Sequence, residues 1–306
     1  MREAEVRRES GRDCGAMDII TTQGLTKAYG ATRVVDGLDL RVPQGSVFGF
    51  LGPNGSGKST TMKMLLSLVR PTNGSIEVLG TPMGRGNGDG DRGTRRRVLG
   101  RIGSLIEAPS VYPHLTGNEN MRIQQMILGL TEAQVRRALE IVRLDTAGQK
   151  LVKQYSLGMK QRLGIAMAIA HQPELLILDE PTNGLDPAGI EEIRELLLEL
   201  AGEGVTIMVS SHQLAEIERM IDTLAVIDHG RLMFQGTKAE LFQQATPDLL
   251  ITTDAGVVRR RDVPADATPY VVTELVRAGA RIHEVRREQQ TLEDIFIELT
   301  GRGGAL

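Results

Sequence analysis

The chain has little cysteine and few aromatic side chains. Cys14 is the single cysteine among 306 residues, so no disulfide can form within the chain, which is typical of a reducing compartment. Tryptophan is absent, and aromatic residues make up 3% of the sequence. No apolar run approaches the roughly 18 residues that a membrane-spanning helix needs. We therefore expect a soluble, cytosolic protein.

Strong charge of either sign is also missing. The formal net charge is -3 and the sequence pI is near 6.0, so composition gives no electrostatic reason to bind nucleic acid, and no such partner is expected. Two arginine clusters, at residues 95–97 and 259–261, are interpreted as solvated loops. The first 16 residues mix four arginines with four acids, so they do not form an apolar signal region. We expect residues 1–16 to be a disordered leader, with either Met1 or Met17 as the translation start.

A glycine-rich string follows a predicted strand at residues 47–51. It fits the pattern GxxxxGK[ST] and consists of Gly52, Pro53, Asn54, Gly55, Ser56, Gly57, Lys58, Ser59 and Thr60. Glycines let the backbone aim successive N–H groups at phosphate oxygens, and the N-terminus of the following helix adds positive potential. Lys58 can bridge the β- and γ-phosphates, while Ser59 offers a hydroxyl to Mg²⁺. The alternative, a turn whose glycines serve only geometry, leaves Lys58 without a role.

Apolar spacing predicts the elements that follow. Met62, Leu65, Leu66 and Val69 indicate a helix that Pro71 ends. Residues 80–93, rich in Gly and Asp, are interpreted as a mobile surface loop. Residues 108–172 are expected to be mostly helical and to form an inserted subdomain. A helix over residues 190–200 and buried strands at residues 175–178 and 205–209 then predict a helix-flanked parallel sheet.

Two carboxylates, Asp179 and Glu180, follow the buried strand at residues 175–178. An unpartnered charge is costly in apolar surroundings, so a metal would explain their position. We expect Asp179 to hold Mg²⁺ and Glu180 to act as the general base that polarises a water molecule. The alternative is a strand end that simply turns outward into solvent.

A third string, at residues 155–159, precedes a helix with a buried stripe. Ser156 near its start is either an ordinary helix cap or part of an anion site that combines its hydroxyl with unsatisfied N–H groups. Taken alone the string favours the cap, and the two strings above favour the anion site.

In this order the three strings resemble the nucleotide-binding subunit of ATP-binding cassette (ABC) transporters, over about residues 17–240. The resemblance implies an α/β P-loop NTPase core, with a RecA-like parallel sheet, an antiparallel β part and the helical subdomain at about residues 108–172. ATP and Mg²⁺ are the implied cofactors. By resemblance Lys58 belongs to the Walker A loop, Asp179 and Glu180 to Walker B, and Ser156 with Gly158 to the signature.

Family ATPases pair head to tail, which implies a second copy or a homologous subunit as a partner. Ser156 would then face the γ-phosphate held by Lys58 of the other subunit. Asp186 resembles the residue that links the two sites, and as an Asp before Pro187 it is also a good helix N-cap.

Two further residues fit the family by their settings. Tyr29 resembles the aromatic residue that stacks on adenine, although plain core packing remains an alternative. His212 follows an apolar strand and resembles the switch histidine that contacts the γ-phosphate and orders Glu180 and water.

The sequence departs from the family pattern at two places. Most members have Gln where this chain has Glu107, and the signature reads YSLGM where LSGGQ is common. A carboxylate binds Mg²⁺ more strongly than an amide, so Glu107 is counted with Ser59 and Asp179 as a metal contact. Glu at this position resembles exporters of peptide antibiotics such as bacitracin and lantibiotics. Residues 241–306, predicted as a small α+β domain, resemble extensions of bacterial drug-export ATPases.

The resemblance implies an ATPase that powers a separate integral membrane permease, exports a drug or antimicrobial peptide, and lies on the inner face of the cell membrane. Its coupling surface is expected around residues 107–125. The alternative is a soluble ABC ATPase of DNA maintenance or translation without a permease. Such proteins usually carry two cassettes, long coiled coils or zinc-binding cysteines, and this sequence shows none of these. A GTPase would need an NKxD string after a strand, which is also not found.

Overall fold

A computed structural model describes residues 17–83, 92–245, 247–261 and 263–301 of the chain. The expectations for residues 1–16, and for residues 84–91 of the glycine-rich loop, lie outside these ranges. Among the described residues, no helix is long and apolar enough to cross a membrane.

Fourteen strands lie within the described ranges, with these bounds. They are β1 (Asp18–Tyr29), β2 (Thr32–Leu38), β3 (Arg41–Pro43), β4 (Val47–Leu51), β5 (Asn73–Val78), β6 (Thr81–Pro82), β7 (Ile102–Leu105), β8 (Leu175–Asp179), β9 (Thr206–Ser211), β10 (Thr223–Asp228), β11 (Arg231–Thr237), β12 (Asp248–Thr253), β13 (Gly256–Arg260) and β14 (Ile282–Glu288). The helices of the same ranges are α1 (Lys58–Leu65), α2 (Arg92–Leu99), α3 (Gly117–Leu128), α4 (Glu132–Ile141), α5 (Leu157–Ile169), α6 (Pro187–Gly202), α7 (Leu214–Ile217), α8 (Lys238–Gln244), α9 (Thr268–Arg277) and α10 (Leu292–Thr300).

The central sheet has the order β11-β10-β4-β9-β8-β7. Neighbouring strands are parallel from β10 to β7, and β11 joins antiparallel at one edge. Every residue of β4, β8 and β9 is buried, because both faces of the sheet are covered. The parallel sheet predicted from the apolar runs is thus confirmed.

Two layers cover the central sheet. On one face, the helices α3 to α7 pack in one hydrophobic core, and α3, α4 and α5 are the helices of residues 108–172. On the other face, α1 and an antiparallel sheet of order β2-β1-β5-β6, with β3 beside β1, form a second core. Along β9, Ile207 and Val209 point to the first core and Met208 to the second, as the two-residue period of a strand requires.

The helix after the glycine string is shorter than its apolar spacing predicts. α1 ends at Leu65 and Leu66 is its C-cap, so the expectation that it runs to Pro71 is wrong. Ser67 adopts a φ of 58°, in the left-handed region, which breaks the helical path. Val69 still packs against the second core, because the chain turns back there without being helical.

The chain beyond α8 forms a third sheet of order β13-β12-β14, and α9 packs on it. α10 contacts both this sheet and the rest of the chain. Its Leu292 and Ile295 are buried in the first hydrophobic core, on the helical face of the central sheet, together with Leu214 and Ile217 of α7. The division of the chain at residue 240 stays a prediction, but α10 connects the two sides of that division.

Neither arginine cluster is a solvated loop, so that interpretation is wrong. Residues 95–97 lie in α2. Arg259 lies in β13, where its Nε donates to the fully buried Asp248 at 2.5 Å and its guanidinium also bonds Asp294 of α10 at 3.1 Å. A buried carboxylate needs a compensating cation. The sequence does not show which arginine supplies it, because Arg259 and its partner Asp294 lie 35 positions apart.

Candidate functional site

The three chemistry-bearing strands are neighbours in the central sheet. β9 lies between β4, which leads into the glycine string, and β8, which ends at Asp179. Because parallel strands share one carboxyl edge, the glycine string, the two carboxylates and His212 emerge at the same edge of the sheet. Clefts at this edge of α/β sheets are where ligands bind.

The glycine string forms a tight turn into α1. Gly57 is the helix N-cap with a φ of 104°, no side chain caps the helix, and its first turn contains no acid. A Cβ at Gly52 would lie 2.5 Å from both Ile227 O and Ser56 Oγ, so only glycine fits there. The uncapped N–H groups and the nearby buried Ser56 Oγ, which has no hydrogen-bond partner in the described structure, favour an anionic ligand.

Lys58 is the buried cation of this turn. Its ammonium donates to the carbonyl oxygens of Gly52 at 2.6 Å and Pro53 at 3.2 Å. Burial lowers the pKa of Lys58, and the charges of Glu180 and Asp179 partly offset this effect. A phosphate would provide the buried ammonium with a closer anion. The remaining residues of the string, Asn54, Gly55, Ser59 and Thr60, are exposed or half-buried at the same turn.

The two carboxylates differ in their surroundings. Asp179 is 5% exposed, and its Oδ1 accepts a 2.5 Å hydrogen bond from Ser210 Oγ. Glu180 follows with a φ of 49°, a left-handed conformation that is unusual for a non-glycine residue. Its Oε2 lies 3.0 Å from His212 Nδ1, at the end of β9. The structure therefore brings the candidate base and the candidate switch histidine into contact.

Glu107 lies just beyond β7, with a φ of 64°. Its Oε1 accepts a 2.5 Å hydrogen bond from Lys63 Nζ of α1, and 67% of its side chain is exposed. This bond is the main cause of the raised pKa of Lys63, to which the charges of Asp179 and Tyr29 also contribute. Glu107 is thus paired in this structure with a cation that also feels the charge of Asp179.

Tyr29 ends β1 and is 53% exposed, so plain core packing does not describe it. The ammonium of Lys27 lies 4.7 Å from its ring centroid. One ring face therefore meets a cation, and about half of the side chain stays exposed, where a planar ligand could stack.

Ser156, Gly158 and Asp186 lie elsewhere on the surface. Ser156 caps α5 by accepting from Met159 N at 3.2 Å, and Asp186 caps α6 by accepting from Gly189 N at 3.2 Å. No hydrogen bond or ion pair in the described ranges joins these residues to the glycine string. One copy of the chain does not bring the predicted signature to its own Lys58.

The donor set at the sheet edge fits Mg²⁺ bound together with a triphosphate. The described residues contain no group of three or more His, Cys, Asp or Glu side chains that could hold a metal alone. Mg²⁺ usually takes one or two carboxylates plus phosphate oxygens and water. Asp179 and the hydroxyl of Ser59 match that requirement, whereas a structural zinc site would need more protein ligands.

Sequence reasoning did not identify Ser210 or Lys63. A hydroxyl residue at the end of the buried run 205–209 was a usable signal for Ser210, because a buried hydroxyl needs partners. Nothing in the spacing indicated Lys63, since its partner Glu107 lies 44 positions away.

Comparisons with known proteins agree with this geometry. A family profile described as ABC transporter matches residues 35–183. The chain is 40% identical over 308 residues to the bacitracin transport ATP-binding protein BcrA of Bacillus licheniformis, covering 93% of this chain and 98% of the relative. It is 43% identical over 217 residues to the lantibiotic transport ATP-binding protein SrtF of Streptococcus pyogenes, covering 71% of this chain and 90% of the relative.

A solved structure described as the ATP-binding subunit of an ABC transporter superposes with a TM-score of 0.64. It is 30% identical and covers 74% of this chain and 92% of that chain. The mixed α/β P-loop core predicted from the sequence is confirmed by this superposition.

Proposed function

Because this chain belongs to the ABC transporter family, we propose that it is the subunit that binds and hydrolyses MgATP to drive a separate membrane permease. The observation that carries the proposal is the contact between Glu180 and His212, 3.0 Å apart, at the sheet edge where Lys58 and Asp179 also lie.

Each residue of this edge has a role in the proposed reaction. The loop N–H groups and Lys58 bind the β- and γ-phosphates, and Tyr29 stacks on the adenine. Ser59 and Asp179 hold Mg²⁺, which when bound neutralises phosphate charge. Glu180 accepts a proton from the attacking water, and His212 fixes the carboxylate and contacts the γ-phosphate.

A pair of subunits completes each site in this proposal. Ser156 is exposed at the N-terminus of α5, and the adjacent Leu157 is 50% exposed, so this surface is free to meet another subunit. A Cβ at Gly158 would lie 3.8 Å from Leu185, which places the signature beside the loop that carries Asp186. Head-to-tail pairing with a second copy or a homologous subunit brings Ser156 to the phosphate held by Lys58 of the other subunit.

The proposed permease contact is a groove of about 670 Å³ between the central sheet and the helical subdomain. Its lining includes Ala108, Ser110 and Gln124, which fall in the predicted coupling range 107–125. It extends beyond that range to Leu68 and Ile127, which are 67% and 69% exposed. The exposed Leu68 and Ile127 offer apolar contacts to a cytoplasmic helix of the permease, which would hold the subunit on the inner face of the membrane.

We assign the exported cargo to the class of peptide antibiotics or drugs. The names of the relatives, which specify bacitracin and lantibiotic transport, support this class. The alignment to BcrA covers 93% of the chain, so the similarity extends past residue 240 into the third sheet.

The decisive experiment compares the wild-type chain with Glu180→Gln. The wild type should release phosphate from MgATP, and E180Q should form an ATP-dependent dimer in light scattering without turnover, because the amide cannot accept a proton. Sustained turnover by E180Q, or full turnover by a particle that remains monomeric with ATP, would contradict the proposal.

The permease contact has its own test. Ile127→Glu places a charge in the groove and should abolish co-purification with the permease, which is to be sought as a polytopic membrane protein among the products of neighbouring genes. Met126→Glu is the matched control, because Met126 is 70% exposed and does not line the groove. Equal co-purification of both variants would move the contact elsewhere, and no association of the wild type would favour the soluble alternative.

A further inference from the structure

The catalytic edge contains a buried hydroxyl that none of the recognised motifs includes. Ser210 lies in β9 with 0% of its surface exposed. It is paired in register with Phe50 of β4 on one side and with Asp179 of β8 on the other. Its Oγ therefore sits at the centre of the sheet, where an unbonded hydroxyl would be costly.

One hydrogen bond of this hydroxyl goes to the Asp179 carboxylate and the other to the backbone of Glu180. Ser210 Oγ donates to Asp179 Oδ1 at 2.5 Å and accepts from the Glu180 backbone N–H at 3.0 Å. The short donor bond to a carboxylate belongs to the stronger class of hydrogen bonds. One side chain on the middle strand thus links the two residues at the end of β8.

The bond to Glu180 coincides with an unusual backbone. β8 ends at Asp179, and Glu180 turns to a φ of 49°, so its N–H leaves the sheet ladder. Ser210 Oγ takes the place of the ladder partner for that N–H, and Asn183 N donates to the Glu180 carbonyl at 3.1 Å. These two bonds hold the peptide in the conformation that directs the Glu180 side chain to His212.

The bond to Asp179 fixes one carboxylate oxygen. Asp179 Oδ2 has no hydrogen-bond partner among the residues that the structure describes, so it remains available to a cation. A carboxylate held through one oxygen presents the other in a defined direction, which is how outer partners orient metal ligands.

We propose that Ser210 is a positioning residue of the ATPase site, which orients Asp179 towards the metal and Glu180 towards the attacking water. This inference rests on the proposed ATP hydrolysis and adds to it a residue that acts through two others. It predicts that removing one oxygen atom from β9 disturbs both metal use and turnover.

The test measures Ser210→Ala, Ser210→Thr and Thr206→Val beside the wild type. Thr206 is the matched control, because it is also fully buried in β9 and accepts from Gly45 N at 2.9 Å, at the opposite end of the strand. Two readouts are needed: steady-state phosphate release, and equilibrium binding of a fluorescent ATP analogue titrated with Mg²⁺.

S210A should lower kcat by roughly tenfold or more, with KM for ATP changed by less than about twofold. It should also raise the Mg²⁺ concentration for half-maximal analogue binding several-fold, and leave metal-free binding unchanged. S210T, which restores the hydroxyl, should recover most of both losses. T206V should match the wild type in both readouts, because its lost bond is remote from the carboxylates.

The outcomes separate this inference from the proposed function. A wild type that releases no phosphate contradicts ATP hydrolysis, and the Mg²⁺ titration still tests Ser210. If the wild type is active and S210A equals T206V in kcat and Mg²⁺ dependence, the positioning role is overturned. Should S210A be too unstable to purify, Ser210→Cys keeps the shape of the side chain with a slightly larger atom and a weaker donor, and wild-type values for it in reducing buffer would overturn the role equally.

Discussion

His212 Nδ1 and Glu180 Oε2 lie 3.0 Å apart, although 32 positions separate the two residues in the chain. The contact exists because β8 and β9 are neighbours and end at the same edge of the sheet. It places an imidazole nitrogen within ion-pair distance of the carboxylate of the candidate base.

Replacing His212 by Ala should reduce kcat by about a hundredfold, because the Glu180 carboxylate loses the imidazole that lies 3.0 Å away and the γ-phosphate loses a contact. ATP binding should change little, since Lys58 and the loop remain. Phosphate release and fluorescent-analogue binding measure the two effects. His229→Asn is the control: His229 Nδ1 lies 2.8 Å from Asp228 Oδ2, yet the ring is 80% exposed. Equal losses in both variants would contradict the role of His212.

The Lys63–Glu107 ion pair should control access of Glu107 to the metal. Lys63→Met should lower the Mg²⁺ concentration for half-maximal analogue binding, because the carboxylate is released, and Glu107→Gln should raise it. Since the side chains are 31% and 67% exposed, stability should change by less than about 1 kcal/mol.

Arg101→Met provides the control for that experiment. Arg101 forms an exposed pair with Glu174, at 2.5 Å, away from the glycine string. The Arg101→Met variant should leave the Mg²⁺ dependence of analogue binding unchanged. Identical titrations of the Lys63 and Arg101 variants would show that the first pair has no connection to the metal.

Stability should fall as the pH falls below about 6.5, partly because of His171. Burial is the main cause of the lowered pKa of His171, and its hydrogen bond to the Ile102 carbonyl partly opposes the shift. The unfolded chain then takes up a proton near its ordinary pKa while the folded ring resists it, so protonation favours unfolding in the window below 6.5 and has no effect well above it.

His171→Gln should reduce the slope of unfolding free energy against pH, by at most about 1.4 kcal/mol per pH unit for one proton. Urea unfolding at several values between pH 5 and 8 measures the slope. His114→Gln, at an exposed ring, should leave the slope as in the wild type. An unchanged slope in the His171 variant would contradict the prediction.

The link between the third sheet and α10 depends on Arg259. Replacing it by Ala leaves the buried Asp248 with only Gln290 as a partner, at 3.2 Å, and removes a bond to Asp294. Breaking a buried pair costs roughly 3–5 kcal/mol, and because Arg259 is 39% exposed we expect about 2 kcal/mol. Urea unfolding measures the loss. Arg260→Ala, at the exposed neighbour, should stay within about 0.5 kcal/mol, and equal values for both would contradict the pairing.

Much of the site could be predicted because its residues occur in short strings. The glycine string needs a specific local backbone, and Lys58 and Ser59 follow it within one helical turn, so local sequence encodes their arrangement. The caps formed by Ser156 and Asp186 are also local, each joining residues three positions apart.

Two predictions were wrong for a common reason: the extent of α1, and the interpretation of the two arginine clusters as loops. Apolar spacing indicates which residues are buried but not the backbone conformation that buries them. Val69 is partly buried although it lies beyond the end of α1. Arg259 pairs with Asp248 across a strand pair, and with Asp294 from α10, so its burial partners are distant in the chain.

The sequence by itself determined the strand-and-helix core, the phosphate-binding turn and the identity of the carboxylates, because apolar periodicity and short-range backbone geometry act between neighbours. Only the tertiary structure decided that β9 lies between β4 and β8, that Ser210 joins Asp179 to Glu180, and that Lys63 holds Glu107. Those relationships depend on strand order and on contacts between residues 30 to 44 positions apart, which no local pattern specifies.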